Sequence, residues 1–232
     1  MHDSYLQNLP AVQHLARQEQ LNFSSPVTFF TGENGTGKST ILEALAINCG
    51  FNPEGGTINF HFSTKETHSP LYNALTVVRS PIRPKDGFFL RAESFYNAAT
   101  ELDRLEEIGA SLQYYGGKSL HNQSHGESFL SLILNRFGGQ GLYILDEPEA
   151  ALSPTRQMAL LSAIHKLVQQ RSQFIICTHS PVLMAYPNAD IYVLSQNGIQ
   201  KTPYQQTEHY QITRQFLNNP EQMLAYLLEE DL

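Results

Sequence analysis

The run of residues 32–40, GENGTGKST, has the residue types and the spacing of a loop that binds phosphate. It lies between an apolar stretch, residues 27–30, and an apolar-periodic stretch that begins at Ile41. This order predicts a strand, a glycine-rich turn and a helix start, which is the context that such a loop requires. The glycines allow the backbone N–H groups to turn inward at the positive end of the helix dipole.

We expect the whole loop to contact the ligand. Its residues are Gly32, Glu33, Asn34, Gly35, Thr36, Gly37, Lys38, Ser39 and Thr40. Lys38 is expected to reach the β- and γ-phosphates, and the Ser39 hydroxyl to ligate Mg²⁺. A glycine-rich turn with a chance lysine is the alternative, but every required position and both flanks agree with the loop. The sequence therefore predicts binding of a nucleoside triphosphate.

A second element, residues 141–148 (GLYILDEP), places two carboxylates after a run of apolar residues. This pattern predicts a buried strand with Asp146 and Glu147 at its carboxyl end, where ligands bind in open α/β sheets. Asp146 is expected to hold Mg²⁺, and Glu147 to polarise the attacking water as general base. Strands often end in acidic residues, so this pattern indicates a nucleotide site only in combination with the phosphate loop.

Two further motifs each allow a catalytic and a structural interpretation. His179 follows the apolar run 174–177 and is expected either to contact the γ-phosphate or to cap the following turn. Ser124 and Gly126 open a helical pattern and could offer a hydroxyl and N–H groups to an anion. Ser124 with Glu127 three residues on is equally a capping box. Local sequence does not decide between these readings.

The order of these four elements resembles the ATP-binding-cassette (ABC) ATPase superfamily, over about residues 27–194. DEPEAALSP (residues 146–154) looks like the Walker B and D-loop segment, and THS (residues 178–180) looks like the switch-histidine loop. QSHGES stands where the family has its signature motif, and Glu127 in it looks closer to the soluble, DNA-repair and chromosome-associated branch. GENGTGKST and RAESF (residues 91–95) also resemble a compact group of bacterial predicted ATPases.

The resemblance implies an ATPase with ATP and Mg²⁺ as ligands and two subunits meeting head to tail. Lys38, Ser39, Asp146, Glu147 and His179 would act within one chain. The signature residues Ser124, Gly126 and Glu127 would contribute to the partner's nucleotide site, with Ser124 and Gly126 on the γ-phosphate. ATP would thus control a homodimer whose interface loosens after hydrolysis.

The chain departs from the family pattern at several positions. His125 replaces a signature glycine, and Ser153 replaces the D-loop aspartate. Glu93 is the nearest candidate for the metal-linked role of the family's glutamine loop. Tyr5 and Phe23 are candidates for stacking on adenine.

The elements that must position these residues follow an alternating pattern of strands and helices. Strand-like apolar runs occur at residues 27–30, 75–78, 88–90, 142–145, 174–177 and 191–194. Apolar spacings of three and four predict helices over residues 94–108 and 155–169, with Ser153 as N-cap of the second. Residues from about 207 onward are expected to form helices that pack on the domain.

These patterns and the resemblance together predict one α/β domain over residues 1–232. We expect a P-loop NTPase layered α/β core with a mainly parallel sheet and a small antiparallel edge sheet. A short helical lobe, about residues 94–137, would carry the signature motif.

Composition limits the classes of partner. The net charge of −7 gives no general attraction for nucleic acid, so DNA stays open but is not indicated. No apolar run approaches the roughly 18 residues of a membrane span, and the amino terminus lacks a secretory pattern. Cys49 and Cys177 are expected to be buried free thiols in a reducing cytoplasm.

The leading interpretation is an ATPase that acts as a nucleotide-dependent dimerisation switch, with a protein effector that the sequence does not name. The nucleotide-binding subunit of a membrane transporter and a DNA-repair or chromosome-associated ATPase head are the alternatives.

Overall fold

The computed structural model describes residues 5–17, 20–57, 69–91 and 125–228. The helix predicted over residues 94–108 lies outside the described residues. Ser124 and Glu93, and the side chains of Tyr5 and His125, lie outside them too.

A seven-stranded sheet forms the centre of the described part of the chain. Its strands are β1 Val27–Gly32, β2 Gly56–Thr57, β3 Asp86–Arg91, β4 Gly141–Asp146, β5 Gln173–Cys177, β6 Asp190–Ser195 and β7 Gly198–Lys201. Their order is β2-β3-β4-β5-β1-β6-β7. The pairs between β3, β4, β5, β1 and β6 are parallel, whereas β2 and β7 run antiparallel at the two edges. The predicted α/β fold with a mainly parallel sheet is confirmed.

Helices cover both faces of this sheet. They are α1 Pro10–Arg17, α2 Lys38–Cys49, α3 His125–Arg136, α4 Pro154–Gln169, α5 Pro181–Met184, α6 Glu208–Asn218 and α7 Pro220–Leu228. The Ser153 hydroxyl accepts a hydrogen bond from the Arg156 N–H at 3.4 Å, so the N-cap predicted for α4 is confirmed. A proline follows at the first helical position, where its missing N–H costs nothing.

Alternate residues of the central strands point into two apolar clusters, one on each face of the sheet. Phe29, Phe88, Tyr143 and Phe174 pack on the face covered by α3 and α4. Phe30, Phe89, Ile144 and Ile175 pack on the face covered by α2. Burial on both faces explains why these strands are nearly continuous apolar runs in the sequence.

The strand predicted over residues 75–78 is wrong. The segment follows the short 3₁₀ turn Pro70–Ala74 and pairs with no described strand. Leu75 and Val77 pack against the cluster on the α2 face, while Val78 is 92% exposed. The apolar pattern therefore records contact with this cluster rather than a place in the sheet.

The carboxyl-terminal helices α6 and α7 form an exposed pair. Neither contains a buried residue, and Leu217, Tyr226, Leu227 and Leu228 are all more than two-thirds exposed. The prediction that this segment packs on the domain holds at the start of α6 and is wrong for most of α7. No helix within the described ranges is both long enough and apolar enough to cross a bilayer.

Candidate active site

Three neighbouring strands deliver the candidate residues to one edge of the sheet. In the parallel register, Cys177 of β5 lies between Phe30 of β1 and Asp146 of β4. The loop after β1, Glu147 after β4, and His179 after β5 therefore leave the sheet side by side. Ligands bind at this carboxyl edge in open α/β sheets.

The loop after β1 ends in the left-handed residue Gly37, which has φ 99° and ψ 16°. Glycine tolerates this conformation because it has no Cβ. No side chain caps the start of α2, so the backbone N–H groups of its first turn remain available to an anion. The Thr36 hydroxyl donates to the Glu33 carbonyl at 2.8 Å and holds the loop in its curve.

Lys38 carries a buried ammonium at the centre of this loop. Its side chain donates to the Gly32 and Glu33 carbonyls at 2.8 and 2.9 Å, and the residue is only 5% exposed. Burial lowers the pKa of Lys38, and the nearby Glu147 and Asp146 offset this in part. A desolvated cation of this kind is stabilised by a neighbouring anion.

The Ser39 hydroxyl, in the first turn of α2, donates to the Asp146 carboxylate at 3.1 Å. These oxygen atoms fit Mg²⁺, which is commonly held by one or two protein oxygens together with substrate phosphates and waters. Among the described residues, no group of three or more histidine, cysteine or acidic side chains could form a separate all-protein metal site.

Arg91 at the end of β3 fixes the position of Asp146. Its Nε lies 3.7 Å from the Asp146 carboxylate, and its Nη1 donates to Glu43 at 2.7 Å. The other Glu43 oxygen accepts the Ser69 N–H at 2.9 Å. Sequence reasoning treated Arg91 only as part of a family-like segment. The signal that could have identified its role was its position at the end of β3, the strand that pairs with β4 next to Asp146.

Glu147 adopts a left-handed backbone, with φ 50° and ψ 51°. Its N–H donates to the Cys177 carbonyl at 3.0 Å, and its carboxylate lies 3.7 Å from Nε2 of His179. A non-glycine residue in this region costs about 1 kcal/mol or more, and such residues cluster at functional sites. The side chain is 43% exposed, so water can reach it.

His179 is held from three sides. Its backbone N–H donates to the Glu149 carboxylate, its ring Nε2 faces Glu147, and its ring Nδ1 lies 3.1 Å from Nε2 of His209. Burial, with a contribution from Lys38, lowers the pKa of His179, so the ring is neutral near pH 7. The alternative that His179 caps the next helix is wrong, because Ser180 is the N-cap of α5.

His209 was missed by sequence reasoning. It lies in α6, and its Nδ1 is 3.4 Å from the Thr31 hydroxyl of β1. Nothing in its local sequence distinguishes it from other polar residues of an exposed helix.

The start of α3 packs on the turn after Glu147. A methyl group at Gly126 would lie 2.4 Å from the Ala151 carbonyl oxygen, so this close approach requires glycine. Glu127 pairs with Arg156 of α4 at 2.9 Å. Gly126 thus has a packing role within its own chain, whatever it does across a dimer. Phe23 packs edge-to-face on Phe30 at 6.1 Å and borders the core.

Two family models match the chain. One, described as an AAA domain, matches residues 5–134, and another, described as an AAA ATPase domain, matches residues 128–184.

Curated proteins of similar sequence include bacterial ATP-binding proteins. An "Uncharacterized ABC transporter ATP-binding protein" of Haemophilus influenzae is 29% identical over 187 residues, covering 71% of this chain and 68% of the relative. The "Cobalt import ATP-binding protein CbiO" of Salmonella typhimurium is 27% identical over 211 residues, covering 83% of this chain and 75% of the relative. A solved structure of cbiO1 from Clostridium perfringens is 16% identical, covers 90% of each chain and gives a TM-score of 0.46.

Proposed function

This chain belongs to the AAA domain family, and from that premise we propose that it is an ABC-type P-loop ATPase that binds and hydrolyses ATP as a dimerisation switch. The observation that carries the proposal is the convergence of Lys38, the Ser39–Asp146 pair and the Glu147–His179 pair at one edge of the sheet. These groups supply an anion site, a metal site and a base.

Phosphate binding falls to the loop of residues 32–40. The N–H groups at the start of α2 and the Lys38 ammonium neutralise the triphosphate, and the desolvated ammonium gains most from it. Ser39 and Asp146 would hold Mg²⁺ there. When bound, that ion would neutralise part of the negative charge of the triphosphate.

Hydrolysis falls to Glu147. Its carboxylate orients a water molecule and accepts a proton from it as the water oxygen bonds to the γ-phosphorus. The bond from this phosphorus to the bridging oxygen breaks, and ADP and inorganic phosphate leave. The neutral ring of His179 donates a hydrogen bond to the terminal phosphoryl group, where negative charge accumulates.

We assign the whole of residues 1–232 to one ATPase domain, with residues 94–137 as its helical lobe. Ser124, Gly126 and Glu127 would complete the nucleotide site of a second copy of this chain. In support, the start of α3 packs directly on the turn that follows Glu147. A protein effector would sense the dimer.

A second candidate function is the nucleotide-binding subunit of a membrane transporter. The names of the relatives from Haemophilus influenzae and Salmonella typhimurium favour it. Cross-linking in native membranes would separate the two functions, because only a transporter subunit should be retained by a membrane-spanning protein.

The change Glu147→Gln tests the proposed function. Removing the base while keeping side-chain size should lower kcat for ATP by roughly 100-fold or more, with ATP affinity retained. Light scattering should then show an ATP-dependent dimer, because the bridging phosphate is no longer removed.

Glu221→Gln is the matched control, since it makes the same chemical change at an exposed acid of α7. It should leave activity and mass unchanged. A Glu147→Gln protein that hydrolyses ATP normally would remove the base from its role. One that stays monomeric with saturating ATP would contradict the dimer switch.

A further inference from the structure

Three polar contacts in series join β1, the carboxyl-terminal helix α6 and the loop after β5. The Thr31 hydroxyl lies 3.4 Å from Nδ1 of His209. Nε2 of His209 lies 3.1 Å from Nδ1 of His179, and Nε2 of His179 lies 3.7 Å from the Glu147 carboxylate. The first two contacts are hydrogen bonds that each need one donor and one acceptor, so the tautomer of one ring fixes that of the other. The third is a charge contact rather than a hydrogen bond.

Only two arrangements of protons on neutral rings satisfy the series. In the first, Thr31 donates to His209, His209 donates from Nε2 to His179, and Nε2–H of His179 faces Glu147. In the second, every donor is reversed, and the bare lone pair of His179 Nε2 faces a carboxylate. The first arrangement is favoured, because a carboxylate accepts hydrogen bonds and repels a lone pair.

Burial favours the neutral form of both rings. Burial lowers the pKa of His179, with a further contribution from Lys38. Burial also lowers the pKa of His209, and His179 adds to the effect. Two neutral imidazoles carry one ring proton each, and one of these lies in the hydrogen bond between the rings. The ring that donates it therefore determines the tautomer of both.

The position of His209 is fixed by its surroundings. Thr207, fully buried, is the N-cap of α6, and its hydroxyl donates to the Tyr204 carbonyl at 2.7 Å. The Tyr204 hydroxyl in turn donates to the Pro181 carbonyl at 2.8 Å. Because Pro181 follows His179 by two residues, the first turn of α6 is anchored to the loop that carries the ring.

We propose that His209 is a positioning residue that holds His179 as the Nε2–H tautomer, so that a neutral donor faces the terminal phosphoryl group. This rests on the proposed function for the identity of the ligand, but the tautomer itself is a property of the chain alone. The carboxyl-terminal helix α6 thereby becomes part of the hydrolytic site, although its residues follow the last strand of the sheet.

The tautomer can be measured without nucleotide by nitrogen NMR on histidine-labelled protein, with the His179→Gln variant used for assignment. Wild type should show His179 protonated at Nε2 and unprotonated at Nδ1. In His209→Leu the Nδ1–H form of His179 should become more populated, because Nδ1 loses its donor and Glu147 alone is left to favour Nε2–H. His209→Gln should restore the wild-type pattern, since its amide can donate from nearly the same position.

Kinetics provide the second readout. We expect His209→Leu to lower kcat by roughly 10- to 100-fold while KM for ATP stays within about twofold, and His209→Gln to recover most of kcat. His165→Leu is the matched control, because His165 is an exposed histidine of α4 whose ring contacts Tyr186. Its His179 and His209 signals and its rates should match those of wild type.

The inference and the proposed function fail separately. Wild-type protein with His179 protonated at Nδ1 overturns the inference even if Glu147→Gln behaves as expected. The predicted tautomer in a protein that hydrolyses no ATP supports the inference and contradicts the proposed function. If His209→Leu does not fold, Thr31→Val tests the same series. The inference is overturned if the variant that folds leaves the proportion of the two His179 tautomers unchanged. It is also overturned if the His209→Gln protein has His179 protonated at Nδ1.

Discussion

At Lys38, burial and charge act in opposite directions. Burial disfavours the ammonium and lowers its pKa, whereas the acids at the ends of β4 and in the following turn favour it. The two loop carbonyls that it contacts are dipoles and compensate only part of the lost hydration. A triphosphate bound as proposed would bring full negative charges to the same position, so its binding would gain more from this residue than from an exposed lysine.

The change Lys38→Ala should therefore weaken ATP binding itself. A hydrogen bond to a charged group contributes about 1.5–3 kcal/mol, which corresponds to a dissociation constant roughly 10- to 150-fold higher. Titration calorimetry with ATP measures this directly. Lys166→Ala, at an exposed lysine in the last turn of α4, should bind as wild type does. Equal affinities of the two variants would show that the loop does not bind phosphate as described.

Between elements, Asp86 connects the start of β3 with the end of α3 and with β4. Its carboxylate accepts from the Tyr143 hydroxyl at 2.7 Å, from the Gly138 N–H at 2.9 Å and from Arg136 at 3.0 Å. Burial alone would raise the pKa of Asp86, but these donors outweigh it and lower the pKa below its ordinary value of 3.8. This network holds α3 in register with the sheet.

The change Tyr143→Phe should lower the free energy of unfolding by about 1–3 kcal/mol, because Asp86 keeps its burial and loses a donor. Stability from the lowered pKa is complete above the ordinary Asp value and is lost as pH falls through the folded pKa. The difference between variant and wild type should therefore shrink below about pH 4.

Urea unfolding at several pH values measures both effects. Tyr226→Phe, at a tyrosine that is 70% exposed in α7, is the control and should match wild type. A difference for Tyr143→Phe that stays constant down to pH 3 would contradict the role of the Asp86 charge.

Features of the fold that depend on local sequence could be predicted, whereas those that depend on contacts between distant parts of the chain could not. The strands ending at Asp146 and Cys177 were predictable, because an apolar run followed by polar residues is a local signal. Residues 75–78 carry the same kind of signal but pack on an apolar cluster instead, and no local pattern separates these cases. His209 reaches Thr31 across 178 positions, so only the tertiary fold could reveal it.

For the whole molecule, the proposed switch requires two copies of the chain. If the start of α3 completes a partner's site, ATPase activity per molecule should rise with protein concentration, by mass action. We expect the rise over about a hundredfold range around the dimer dissociation constant, followed by a plateau. Initial rates at saturating ATP measure it.

Excess unrelated carrier protein provides the control for crowding or surface loss, because it changes both without pairing with this chain. Specific activity that stays constant on dilution to the lowest measurable rate would mean that one chain is sufficient for hydrolysis.

The left-handed backbone at Glu147 has an evolutionary consequence. Glycine, or to a lesser degree asparagine, would occupy φ 50° with less strain, so either replacement would stabilise the fold while removing the proposed base. Only selection for ATP turnover would then oppose replacement of Glu147. In a lineage that needed only nucleotide-driven association, we expect Glu147 to be the first residue of the site to be replaced.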